Sequence, residues 1–264
     1  MTLANCFGKP SVLLGVVHLA PLPDSPGYQG SMEAILRRAL DDARSLEQGG
    51  LDGAVVENMG DAPFYPDRVP AYVVAELTAF ASEIGRITKL PLGINVLRND
   101  GSAAVAVAHA VGARFVRINI LCGVRATDQG LVSGKAHEVL RDRMTLGATS
   151  VRILADVDVK HSRPVGDPDL QGEVRDCLER GGADGVIVSG SRTGSPVDLE
   201  GVRLAKECAR GAPVWVGSGV TMNNVEQIYP EADGLIVGTA FKVDEVTANP
   251  VDPERVRSLV ARIR

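Results

Sequence analysis

The chain has 264 residues, 45% of them hydrophobic and 23% charged, and a formal net charge of −5. That composition excludes a largely disordered chain, and the length suits one large domain or two small ones. No run of about 18 apolar residues exists, so no transmembrane helix is expected, and there is no basic stripe of the kind nucleic-acid binders carry.

The first apolar run, 12–18, carries a His and leads to Pro without a small-residue cleavage site. It therefore reads as a strand rather than a signal peptide. Further β-branched runs are expected near 53–57, 92–97, 115–120, 152–158, 185–189, 214–217 and 234–237. Three of them share one local grammar, GGLDGAVVEN (49–58), GGADGVIVSG (181–190) and EADGLIVGT (231–239), in which Asp-Gly precedes a buried strand. Helical patterns lie between the strands. Ile35, Ala39, Ala43 and Leu46 follow an N-cap at Ser31, and Val73, Leu77, Phe80, Ala81 and Ile84 follow Pro70. Asp167-Pro168 and Asp252-Pro253 each read as an N-cap with proline at the first helical position. The last helix should bury Val256, Leu259, Val260 and Ile263. Eight strand–helix units match an α/β (β/α)8 TIM barrel, with residues 1–264 forming a single domain. A doubly wound sheet is the alternative, and the lack of a glycine fingerprint after the first strand weakens it.

Strand parity separates the faces, because alternate residues point to opposite sides. In the fifth strand Ile153, Ala155, Val157 and Val159 should face the helices. Leu154, Asp156, Asp158 and Lys160 should then line the lumen and its C-terminal mouth. The same test turns Arg117, Asn119 and Asn95 inward and brings His18 and Glu57 to the mouth. Buried ion pairs that merely stabilise the barrel are the plainer reading, but hydrophobic packing would serve that purpose as well. So many titratable groups at one mouth favour a site.

VWVGSGV (214–220) and LIVGTAFK (235–242) end the last two strands. Gly217, Ser218 and Gly219 allow a tight turn, and Gly238 and Thr239 open a short helix. Two glycine turns flanking one strand suit a phosphate group. Ser189-Gly190-Ser191 and Thr193-Gly194 add donors or form a lid. Four cysteines, at 6, 122, 177 and 208, show no CxxC spacing, which points to a reduced, cytoplasmic protein.

Long ordered motifs carry a resemblance across nearly the whole chain: GVVHLAPLPDSP (15–26), VVENMGDAPF (55–64), GINVLRND (93–100), RFVRINILCG (114–123), ADVDVKHS (155–162), GVIVSGSRTG (185–194), GSGVTMNN (217–224) and GLIVGTAFK (234–242). In these the chain resembles the BtpA/SgcQ family. The resemblance implies a TIM barrel similar to ribulose-phosphate-binding barrels. Some family members are named for photosystem I biogenesis, and others sit in sugar-utilisation contexts. Asp158-Val159-Lys160 is also similar to the DxK motif of sugar-phosphate decarboxylase barrels. Arg163 stands where that motif's next acid would be, so decarboxylation is not supported.

The leading expectation is an enzyme acting on a phosphorylated sugar or sugar-like metabolite. Asp156 or Glu57 would be the general base, and Lys160 or His161 would polarise a carbonyl or donate a proton. Isomerase, epimerase, lyase and glycosyl-transfer chemistries stay open. The alternative is a non-catalytic biogenesis or assembly factor of the BtpA type. Glu57, Asp156 and Asp158, with His18 or His161, offer ligands to a divalent metal, but no fixed-spacing motif supports one, so no cofactor is predicted. A homo-oligomer is expected only from the habits of the class.

Overall fold

A computed structural model describes residues 7–9, 11–190 and 198–264. Eight parallel strands close into a barrel: β1 (Val12–His18), β2 (Gly53–Glu57), β3 (Leu92–Asn95), β4 (Phe115–Ile118), β5 (Arg152–Val157), β6 (Gly185–Val188), β7 (Val214–Val216) and β8 (Gly234–Val237). They neighbour one another in chain order, and β1 closes onto β8 with Val12 opposite Gly234. The helices between them are α1 (Met32–Gln48), α2 (Ala71–Ile87), α3 (Gly101–Val111), α4 (Ala136–Thr145), α5 (Leu170–Arg175), α6 (Leu199–Ala209), α7 (Val225–Ile228) and α8 (Pro253–Ile263).

Helices α1 and α2 bury the stripes that their spacing predicts, whereas in α8 Val256 and Leu259 are buried and Val260 and Ile263 only half-buried. Ser31 caps α1 by accepting from the Ala34 amide at 3.1 Å, and Asp252 with Pro253 opens α8. The cap expected at Asp167 is instead Asp169, whose carboxylate accepts from the Gly172 amide at 2.8 Å.

The Asp-Gly grammar has a physical reason. Asp52, Asp184 and Asp233 each precede a strand and accept, at 2.8–2.9 Å, from a backbone amide of the neighbouring strand: Leu13, Ile153 and Val214. One carboxylate thus extends the ladder at the bottom of the barrel. The glycine after it leaves room for a large lumen side chain. A Cβ on Gly234 would lie 2.7 Å from the Trp215 ring.

That lower lumen is a small core of its own, made of Val12, Leu14, Val16, Val55, Phe115, Leu154, Ile187, Trp215 and Ile236. Phe7 plugs it from below, with ring centroids 6.0 Å from Phe115 and 5.8 Å from Trp215. The larger core lies between barrel and helices and includes Ile153, Ala155 and Val157.

A feature that the sequence reading did not anticipate covers one side of the mouth. Val124–Thr127 and Gly130–Ser133 form an antiparallel hairpin, joined by Ser162–Pro164. Val132 packs there with Ile120 and Val159 in a third, small core.

Candidate active site

Stepping two residues up each strand from the apolar lumen layer reaches the mouth. Val16 leads to His18, Val55 to Glu57, Gly93 to Asn95, Phe115 to Arg117, Leu154 to Asp156, Ile187 to Ser189, Trp215 to Gly217 and Ile236 to Gly238. Strand period two therefore builds one layer from eight separate strands.

The β4–β5 part of this layer satisfies itself. Arg117 donates to both oxygens of Asp156 at 3.0 Å, and Asn119 donates to Asp156 Oδ2 at 2.7 Å. Both ends of the ion pair are buried. Burial disfavours the Arg117 charge, yet Asp156 and Glu57 hold its pKa above the ordinary value. With three donors on its oxygens, Asp156 is an anchor for Arg117.

The β1–β3 part is arranged differently. Asn95 donates to Glu57 Oε2 at 2.6 Å, which fixes the carboxylate. The other oxygen lies 3.7 Å from His18 Nε2, too far for a hydrogen bond. Burial, then Lys242, Lys160 and Arg117, push the His18 pKa well below its usual 6.5. His18 is therefore neutral at pH 7, and the contact is not an ion pair. Its Nδ1 is buried with no partner, as are Ser189 Oγ and Asn119 Oδ1. Burial, then Arg117, also lowers the Lys160 pKa, against the opposing pull of Glu57 and Asp156.

A cavity of about 280 Å³ joins these groups to the glycine turns. His18, Glu57, Arg117 and Lys160 line it together with Gly217, Ser218, Gly219, Gly238 and Thr239. Gly238 is needed for close approach, since a Cβ there would lie 2.8 Å from His18 Cε1. Gly219 has φ +77°, a conformation that side chains disfavour. The Thr239 hydroxyl is 2.9 Å from that of Thr247.

Not every residue expected at the mouth reaches the cavity. Asn95, Asn119 and Asp156 stand behind it, holding those that do. Asp158 is a correction: its side chain is 64% exposed and pairs with Arg125 of the hairpin at 2.7 Å. The strand ends at Val157, and the positive φ of Asp158 (+46°) breaks the alternation that parity assumed. His161 is exposed and does not line the cavity. Ser191, Thr193 and Gly194 lie outside the described residues.

The structure adds residues that parity cannot see, because loops supply them: Met59, Thr221, Glu245 and Thr247. Arg98, which follows β3 and from the sequence could reach a substrate there, is buried beside the mouth and donates to the Lys160 carbonyl at 2.8 Å. A group that the sequence reasoning missed supports the loop after β8. The fully buried Lys242 donates to Asp42 of α1 at 2.7 Å, and Asp42 also accepts from the Val251 amide at 2.7 Å. Among the described residues no group of three or more His, Cys, Asp or Glu is placed to hold a metal ion, and no helix is long and apolar enough to cross a membrane.

The comparisons with known proteins agree with this architecture. The family model described as "BtpA family" matches residues 9–264. The chain belongs to the BtpA family. This BtpA-family chain is 46% identical over 260 residues to the Photosystem I biogenesis protein BtpA of Synechocystis sp., covering 98% of this chain and 90% of that one. It is also 46% identical over 248 residues to an uncharacterized protein of Thermococcus kodakarensis, covering 94% and 93%. Among solved structures, N-(5'-phosphoribosyl)anthranilate isomerase from Pyrococcus furiosus superposes with a TM-score of 0.57 at 15% identity, covering 96% of this chain and 98% of that one. That likeness shows the TIM-barrel fold.

Proposed function

We propose that this protein is an enzyme acting on a phosphorylated sugar or sugar-like metabolite, of the isomerase, epimerase, lyase or glycosyl-transfer kind. One observation carries the reading: a single cavity is lined both by the glycine turns after β7 and β8 and by Glu57, His18 and Lys160. Barrel neighbours that act on phosphorylated compounds, such as the anthranilate isomerase above, support it.

The phosphate sits against the backbone of Gly217, Gly219, Gly238 and Thr239. Arg117 supplies positive charge close beneath, its Nη2 only 3.2 Å from where a Cβ of Gly217 would be. Glu57 is the general base, because Asn95 fixes one oxygen and leaves the other toward the cavity. Lys160 polarises the carbonyl or donates the proton, helped by a lowered pKa that eases proton transfer. Neutral His18 serves as a hydrogen-bonding group beside Glu57. Asp156 acts through Arg117 as a positioning residue, and Asp158 and His161 take no part.

Screening phosphorylated metabolites for turnover tests this. With the substrate in hand, Glu57→Gln should lower kcat by about 10²–10⁴-fold while leaving KM within a few-fold. Unchanged turnover overturns the assignment. The name of the Synechocystis relative favours a second reading, a non-catalytic assembly factor. In that case a Glu57→Gln chain would still restore the phenotype of a deletion strain, and surface substitutions would not.

A further inference from the structure

A second, larger cavity of about 700 Å³ adjoins the first, and His18, Met59 and Thr247 line both. Leu19, Ala20, Pro21 and Ile35 give it an apolar lining. Arg38 of α1 is on its wall. The Arg38 Nη2 donates to the Ala248 carbonyl, but its Nε is buried without a partner.

We propose that this cavity takes the second part of a two-part ligand: a planar aromatic ring, bearing a hydrogen-bond acceptor, joined to the sugar phosphate held next door. The inference rests on the phosphorylated-ligand reading above and extends it to a substrate class. A cavity of 280 Å³ is at the small end of small-molecule sites and holds little beyond a sugar phosphate. On the wall made by Leu19, Pro21 and Ile35 the hydroxyls of a further sugar would lose their hydrogen bonds to water, while Gln29, Ser31 and Arg38 bring polar groups only to other parts of the lining. A flat apolar ring fits that wall. The Met59 thioether and the Arg38 guanidinium are both groups that pack favourably on aromatic faces or edges. The Arg38 guanidinium on the cavity wall suits an acceptor on that ring, a ring nitrogen or an aromatic carboxylate. Met59, at the seam of the two cavities, is beside the bond joining ring to sugar, so the ring and the reacting carbons are neighbours in one continuous site.

Calorimetric titration of the full chain with ribose 5-phosphate, adenosine 5′-monophosphate and nicotinic acid mononucleotide tests this. At least one ring-bearing ligand should bind about tenfold or more tighter than ribose 5-phosphate. Ala34→Trp should erase most of that advantage, because position 34 is exposed on the first turn of α1 and its indole would enter the cavity. Arg38→Met should reduce it too. Ribose 5-phosphate should bind Ala34→Trp as it binds the parent, which also reports an intact fold. If ribose 5-phosphate binds but neither ring adds affinity, or Ala34→Trp leaves the advantage intact, the second subsite is overturned and the phosphate site stands. If ribose 5-phosphate and inorganic phosphate both fail to bind, the phosphate reading falls and this inference falls with it.

Discussion

The floor and the mouth of the barrel lumen are built by the same eight strands, yet they follow opposite rules. Phe115 and Arg117 stand two residues apart on β4, and Leu154 and Asp156 two apart on β5. The lumen thus passes from an aromatic plug to a buried ion pair over one strand repeat, about 6.6 Å. The floor is a set of interchangeable apolar volumes, where size and shape decide the energy. The mouth is a set of specific partners, where losing one leaves another uncompensated. Hydrophobic side chains could fill the upper layer as well. Their absence sets the mouth apart from the floor.

The sharpest way to break this contrast is to remove one partner at the mouth. Asp156→Ala leaves Arg117 charged and buried, and should cost about 3–5 kcal/mol in denaturant unfolding. The pair of changes Arg117→Met with Asp156→Leu should recover most of that stability. A loss below about 1 kcal/mol in the single variant would mean that Arg117 finds another partner, and that the mouth is as forgiving as the floor. A floor substitution sharpens the comparison from the other side. Trp215→Phe should cost about 1–3 kcal/mol through lost volume, with ribose 5-phosphate affinity unchanged by calorimetry.

The smallest effect is a pH dependence. His18 titrates well below 6.5 in the folded chain, while the unfolded chain binds its proton near that value. Between the two values the unfolded state holds more protons, so stability falls as pH drops below 6.5. His18→Asn should flatten that slope by up to ~1.4 kcal/mol per pH unit, measured as unfolding free energy at stepped pH. An unchanged slope would show that His18 is not held neutral.

The barrel was legible in the sequence because its signals are local and repeat. β-branched runs, Asp-Gly starts and helical stripes recur unit after unit, and parity sorted Arg117, Asn95 and Glu57 inward correctly. Parity holds only while the backbone stays extended. It failed at Asp158, one residue beyond the end of β5, where the chain adopts a positive φ. The hairpin at 124–133 was missed because its strands are four residues each and mostly exposed, so they lack a clear apolar face. The Gly130 turn between them was the available signal. Arg38, Asp42 and Lys242 were invisible for a different reason. Their significance arises from contacts across the fold, and Asp42 reads from sequence only as an acid on an otherwise apolar helix face.

The Lys242–Asp42 pair joins positions 200 residues apart. During synthesis Asp42 emerges early, and its counter-ion leaves the ribosome only when nearly the whole chain has been made. The nascent first half therefore carries an unneutralised acid on the face that α1 must bury, which disfavours early docking of that helix. Ring closure and assembly of the loop beyond β8 become one late event, so truncated chains lacking the last two units should be poor at holding α1 in place and vulnerable to proteases there.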